Sequence, residues 1–156
     1  MPGLFSQIAA ALSGGDTKLV TRVEEFTSAY LTQGEVYRTL GLKREEQALL
    51  GAMLAEELYR TYCAEHLKRE CAPGAATRLE EARKAREAQV SMQGEALAQF
   101  EAALKPVVAD LVNLARQRGK FESGFASADG LTESLVNDAI ASRVTAVKAA
   151  RRAAMH

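Results

Sequence analysis

The chain has 156 residues, 47% hydrophobic but only 6% aromatic, with no Trp, three Pro and two Cys. Twenty basic and twenty acidic side chains cancel, so no global field argues for nucleic acid or a membrane surface. The length is that of one domain able to bury a core without disulfides or metals. Alanine, leucine, glutamate and arginine dominate and β-branched runs are absent, a composition that predicts an all-α fold.

Near the N-terminus, Leu4, Phe5, Ile8 and Leu12 share one face of a short helix. Without Lys or Arg beside it, that face is expected on the bundle or a partner rather than on lipid. The stretch also lacks the positive flank of an export leader, and no run reaches the ~20 apolar residues of a membrane span. A cytoplasmic, reduced chain is therefore expected. Gly14 and Gly15 break this stretch, and Asp16 or Thr17 can cap a second helix with the stripe Leu19, Val20, Val23, Phe26 and Tyr30.

Thr32-Gln33-Gly34-Glu35 has the form of a capping box for a two-turn helix that Gly41 closes. A long helix is predicted over 42–72, with Leu49, Leu50, Met53, Leu54 and Leu58 on a broad apolar face continued by Tyr62, Cys63 and Leu67. Residues 31–43 resemble the first helix and turn of a phage-repressor-type helix-turn-helix, matching at Gln33, Val36, Leu40, Gly41 and Leu42. That resemblance implies DNA contact through 32–50. It departs at Tyr37, where the family has Ala or Gly, and at Gln47, where it has Val or Ile. The would-be reading residues Arg44, Glu45, Glu46 and Gln47 include two acids that repel phosphates. A capped helix, a glycine stop and a new helix account for the same residues.

Cys63, His66, Glu70 and Cys71 cluster at one helix end, but a single helix rarely surrounds a metal and no second Cys/His pair exists. On a continuous helix the two sulfurs would be carried about 12 Å apart, too far for a disulfide, which reads as structural thiols. The glutamate pairs 45–46, 56–57 and 80–81 lack the Glu-x-x-His repeats of a di-iron bundle and read as solvated faces. No serine or cysteine triad, phosphate loop or Cys-x-x-Cys motif is present. Neither a catalytic residue, a metal ligand nor a cofactor is predicted.

Pro73 and Gly74 precede the capping box Thr77-Arg78-Leu79-Glu80, from which a second long helix is predicted over 77–118. Its first half, 78–96, is thin in apolar residues and reads as a solvated arm. In its second half Leu97, Phe100, Leu104, Val107, Leu111 and Leu114 step by three and four, a coiled-coil stripe that fixes the architecture. Pro106 falls inside this seam without changing its phase and predicts a kink in one helix.

Three glycines and no periodicity make 119–130 a loop, with Phe121 and Phe125 as plugs into the core. A last long helix over 131–154 carries Val136, Ile140, Val144 and Val147. From residue 139 onward the charges are Arg143, Lys148, Arg151 and Arg152 with no acid. A basic last turn suits the helix dipole, and an anionic partner is the sharper reading.

These readings predict one antiparallel all-α bundle over 1–156, with short helices before 41 and long ones at 42–72, 77–118 and 131–154. The function expected is a non-catalytic helical interaction or assembly protein. It would join a second copy, or another helical protein, through the seam Leu97, Phe100, Leu104, Val107, Leu111 and Leu114. The rival is DNA binding through 32–50, with the basic C-terminal helix on phosphates.

Overall fold

The structure is a computed structural model, which describes residues 16–155. Residues 4–12, read above as an apolar helix, lie outside the described residues. Among the described residues the chain forms seven α-helices and no strand: α1 (Thr17–Gln33), α2 (Val36–Leu40), α3 (Arg44–Tyr62), α4 (Pro73–Gln89), α5 (Gly94–Gln117), α6 (Glu133–Ile140) and α7 (Val144–Ala154). They pack as an all-α helical bundle, as composition and periodicity predict.

The 3.6-residue stripes decide which face each helix buries. α1 turns inward Leu19, Val20, Val23, Phe26 and Tyr30, and α5 turns inward Phe100, Leu104, Val107, Leu111 and Leu114. α3 is the central element, packed against α1, α4 and α5. The stripe of α5 meets α3, α6 and α7, so the ridge read from its spacing is closed off by the chain's own helices. Tyr30 on α1 donates its hydroxyl to the Leu111 carbonyl at 2.7 Å, pinning the first helix to the ridge. Burial holds that phenol far above its ordinary pKa, so it stays a donor.

Helix divisions differ from the sequence reading in several places. The predicted 77–118 helix is two. α4 ends at Gln89, and Val90, Ser91, Met92 and Gln93 pass over to α5. Val90 and Met92 are both buried there, two apolar side chains out of phase with the stripe that hold the crossing down. Gly94 takes φ +59°, which only glycine adopts without strain. α4 also starts earlier than the Thr77 box predicts, because Pro73 occupies the first turn, where a missing N–H costs nothing. Pro106 lies inside α5, which runs past it as one helix.

The capping box at 32–35 is likewise unused: α1 continues through Gln33, and Glu35 takes a left-handed φ of +50° before α2. Gly34 is there because α6 comes close; a Cβ on it would meet Val136 at 2.7 Å. Gly41 does close α2 in the left-handed conformation, as its position implies. Asp16 stands at the head of α1 but caps nothing, since its carboxylate is spent on Arg69 and Tyr59. In the last helix a 3-10 turn, Ala141–Arg143, separates α6 from α7, and the Thr132 hydroxyl caps α6 by accepting from Leu135 N.

The predicted 42–72 helix ends early. After Tyr62 one π-helical turn, Cys63–Leu67, closes on Lys68 at φ +57°, and the chain reverses. Below this turn Tyr62, Phe121, Phe125 and Phe26 interlock with ring centroids 5.1 to 6.1 Å apart. Phe121 and Phe125 are thus the core plugs that the loop was read to carry. Tilted ring pairs of this kind add about 1 kcal/mol each beyond area burial.

Candidate interaction cleft

The ridge Phe100, Leu104, Val107, Leu111 and Leu114 is buried inside a single chain, and Leu97, at its start, is half-buried. The ridge is therefore spent on the protein's own core. In this state only its half-buried end, Leu97, is open to a second copy.

A different face of α5 is open at Ala98, Ala102, Lys105 and Ala109, which with the buried Val112 and half-buried Arg116 step by four and three along a second stripe, one helix quadrant from the ridge. With Met53, Glu56, Glu57, Arg60 and Thr61 of α3, and Arg83 of α4, they line a solvent-open cleft of about 900 Å³. The floor is small and apolar, and the walls are ion pairs. Arg83 Nε lies 3.0 Å from Glu56 Oε1 and the same guanidinium also holds Glu87. Arg116 grips Glu65 through two nitrogens at 2.8 and 2.9 Å. Arg60 pairs with Glu57 at 3.4 Å.

Glu101 faces the cleft from α5. Desolvation, and then the neighbouring Glu87 carboxylate, raise its pKa, while Arg83 and Lys105 pull it back. α4 forms one wall and packs closely along α3 through small side chains, its buried residues being Gly74, Ala75 and Leu79. A smaller cleft of about 380 Å³ lies on its other side, between α1 and α3, bridged at the rim by Arg78 and Glu24 at 2.6 Å.

The four basic residues of the C-terminal helix do not form one patch. Arg151 turns inward, its Nε 2.8 Å from Glu46 Oε1, and Arg143 Nε sits 2.8 Å from Asp110 Oδ2 on α5. Lys148 and Arg152 are exposed. In the 32–50 segment Glu46, read as part of a reading face, is buried: it accepts from Lys43 N at 2.8 Å and faces Arg151. Tyr37, at the position where the repressor family has a small residue, is exposed rather than wedged between helices. Gln47 is half-buried in the smaller cleft, with its Oε1 enclosed and unpartnered among the described residues.

At the far end of α3 the reversal after Lys68 carries Cys71 back to Cys63, against the 12 Å separation read from a continuous helix. His66 stacks on Tyr62 with centroids 5.0 Å apart, and Glu70 is exposed on the returning strand of chain. No helix among the described residues is long and apolar enough to cross a membrane. The cleft escaped the sequence reading because its floor is alanine, a residue that counts equally for a helix surface and a contact. The 4-3-4 spacing of positions 98, 102, 105 and 109 was its only signal. No protein-family model matches this chain, and no curated protein or solved structure matches it either.

Proposed function

We propose that the protein is a non-catalytic helical assembly module, and that it joins a second copy of itself through the cleft between α3 and α5 rather than through the ridge at 97–114. The observation that carries this reading is the open alanine stripe of α5 lying beside a ridge already consumed by the core. Alanines at that spacing let a helix approach closely without displacing large side chains. The cleft walls hold four acids (Glu56, Glu57, Glu65, Glu101) and four bases (Arg60, Arg83, Lys105, Arg116), so the face carries no net charge that would repel a second copy. The two free thiols support a reducing, cytoplasmic setting.

Sedimentation velocity over a wide concentration range tests the reading. Reversible association that Ala102→Arg abolishes, with helicity unchanged, supports it. A strict monomer at every concentration overturns it. DNA contact is the rival, resting on the exposed Lys148 and Arg152. Retention on duplex DNA that falls steeply with salt would promote that rival.

A further inference from the structure

The turn between α3 and α4 is built around two sulfurs. Cys63 is buried, and Cys71 is half-buried where solvent reaches it. Three contacts fold the intervening chain back over Cys63. Arg69 N donates to the Cys63 carbonyl at 3.1 Å, Arg69 Nη1 lies 4.0 Å from Cys63 Sγ, and Ala72 N donates to the Tyr59 hydroxyl at 2.9 Å. Tyr59 is one helical turn before Cys63, so tying Ala72 to it brings Cys71 alongside. Cys71 is thereby a direct electrostatic neighbour of the Cys63 thiol. Residues 64–70 between them are all exposed, so the short loop can adjust at little cost to packing.

We propose that Cys63 and Cys71 are a paired thiol site that a hydroperoxide oxidises to an intramolecular disulfide. The proposal is independent of whether the cleft receives a second copy.

Cys71 is the thiol that meets the oxidant. Its sulfur attacks one oxygen of hydrogen peroxide; the S–O bond forms, the O–O bond breaks and one water leaves, giving the sulfenic acid. The Cys63 sulfur then attacks the Cys71 sulfur. The S–S bond forms, the S–O bond breaks and a second water leaves. Two thiols and one peroxide give one disulfide and two waters, with the sulfurs oxidised and the peroxide reduced. Burial pushes the Cys63 thiol up to about 11, against the pull of the Tyr59 hydroxyl and, more weakly, of the Arg69 guanidinium. The closing step therefore waits on a scarce thiolate at neutral pH and quickens as pH rises toward that value.

Oxidation also changes what the turn holds. Arg69 grips both oxygens of Asp16, at 2.8 and 2.9 Å, and Tyr59 donates to the same carboxylate at 2.6 Å. A cross-link between 63 and 71 fixes the segment that carries Arg69, and with it the anchor at the head of α1.

The test uses the folded full-length chain, reduced, exposed to equimolar hydrogen peroxide and quenched with N-ethylmaleimide. The expected product has lost two hydrogens in mass and both alkylation sites. After trypsin cuts at Lys68 and Arg69, the peptides bearing Cys63 and Cys71 stay joined until a reductant is added. Cys63→Ser and Cys71→Ser each abolish the cross-link, and Cys63→Ser leaves a sulfenic acid on Cys71 that dimedone traps. Alkylation of both cysteines after peroxide, sulfinic acid on Cys71 with Cys63 untouched, or cross-linking only between chains would each overturn the proposal.

Discussion

Arg151 Nε on α7 sits 2.8 Å from Glu46 Oε1 in the first turn of α3, with both side chains largely out of water. The nitrogen lies off the line that a hydrogen bond requires, so the contact is coulombic rather than a directed bond. It joins the last helix to the central one. The residue that composition offers as a free cation is thus an internal fastening.

Removing either partner leaves a buried charge alone. Arg151→Ala or Glu46→Ala should cost about 3 kcal/mol in urea unfolding, whereas the paired change Glu46→Leu/Arg151→Met should cost far less. Arg143→Ala removes a more exposed pair with Asp110 and should cost clearly less than Arg151→Ala. Equal losses for Arg143 and Arg151 would contradict the different burial of the two pairs.

The ridge on α5 should behave as core. Leu104→Ala, at a fully buried position, is expected to lose about 3 kcal/mol. Leu97→Ala, at the half-buried end of the same stripe, should lose about 1 kcal/mol or less. Denaturant midpoints at fixed protein concentration separate the two.

Gly34 marks where α1 and α6 touch. A methyl group there would meet Val136 at 2.7 Å, so Gly34→Ala should lose about 2 kcal/mol. Combining it with Val136→Ala makes room, and the double variant should lose less than the sum of the two single changes. Strict additivity would mean that the two residues do not meet.

Gln47 occupies the position where the repressor family has Val or Ile, and its enclosed oxygen has no partner among the described residues. Gln47→Met should raise stability by about 1 kcal/mol, because an unpaired polar atom leaves the interior. A destabilised variant would show that the amide makes a bond that matters.

Much of the fold was legible because large side chains announce a face. Phe100 to Leu114 in threes and fours, and Phe121 and Phe125 in a glycine-rich loop, each found the core they implied. The divisions between helices were harder to read. The phase of the pattern suggested one helix across 77–118, yet Val90 and Met92 turn inward at the crossing and Gly94 supplies the left-handed φ. The pairing of Cys63 with Cys71 was invisible for the same reason: a helix read as continuous has no reversal at Lys68. Arg143 and Arg151 looked free because their partners, Asp110 and Glu46, are far away in sequence.

Glu101 gives the cleft a pH dependence whose sign is fixed. Folding raises its pKa, chiefly through desolvation and then through Glu87, so the folded chain holds that proton more tightly than the unfolded one. The stabilisation is present below the ordinary glutamate range and is lost as pH rises through the folded value. Glu101→Gln should therefore match the parent in acid and exceed it at neutral pH, by less than about 1 kcal/mol because the site is open to water. Unfolding curves at several pH values compare the two.

Amide shifts recorded across a dilution series test the central claim most directly, because they report where a second copy lands. Concentration-dependent shifts gathered at Ala98, Ala102, Ala109 and Val112, with the α6–α7 face unmoved, are the predicted result. Shifts confined to Lys148 and Arg152, or none at any concentration, would contradict it.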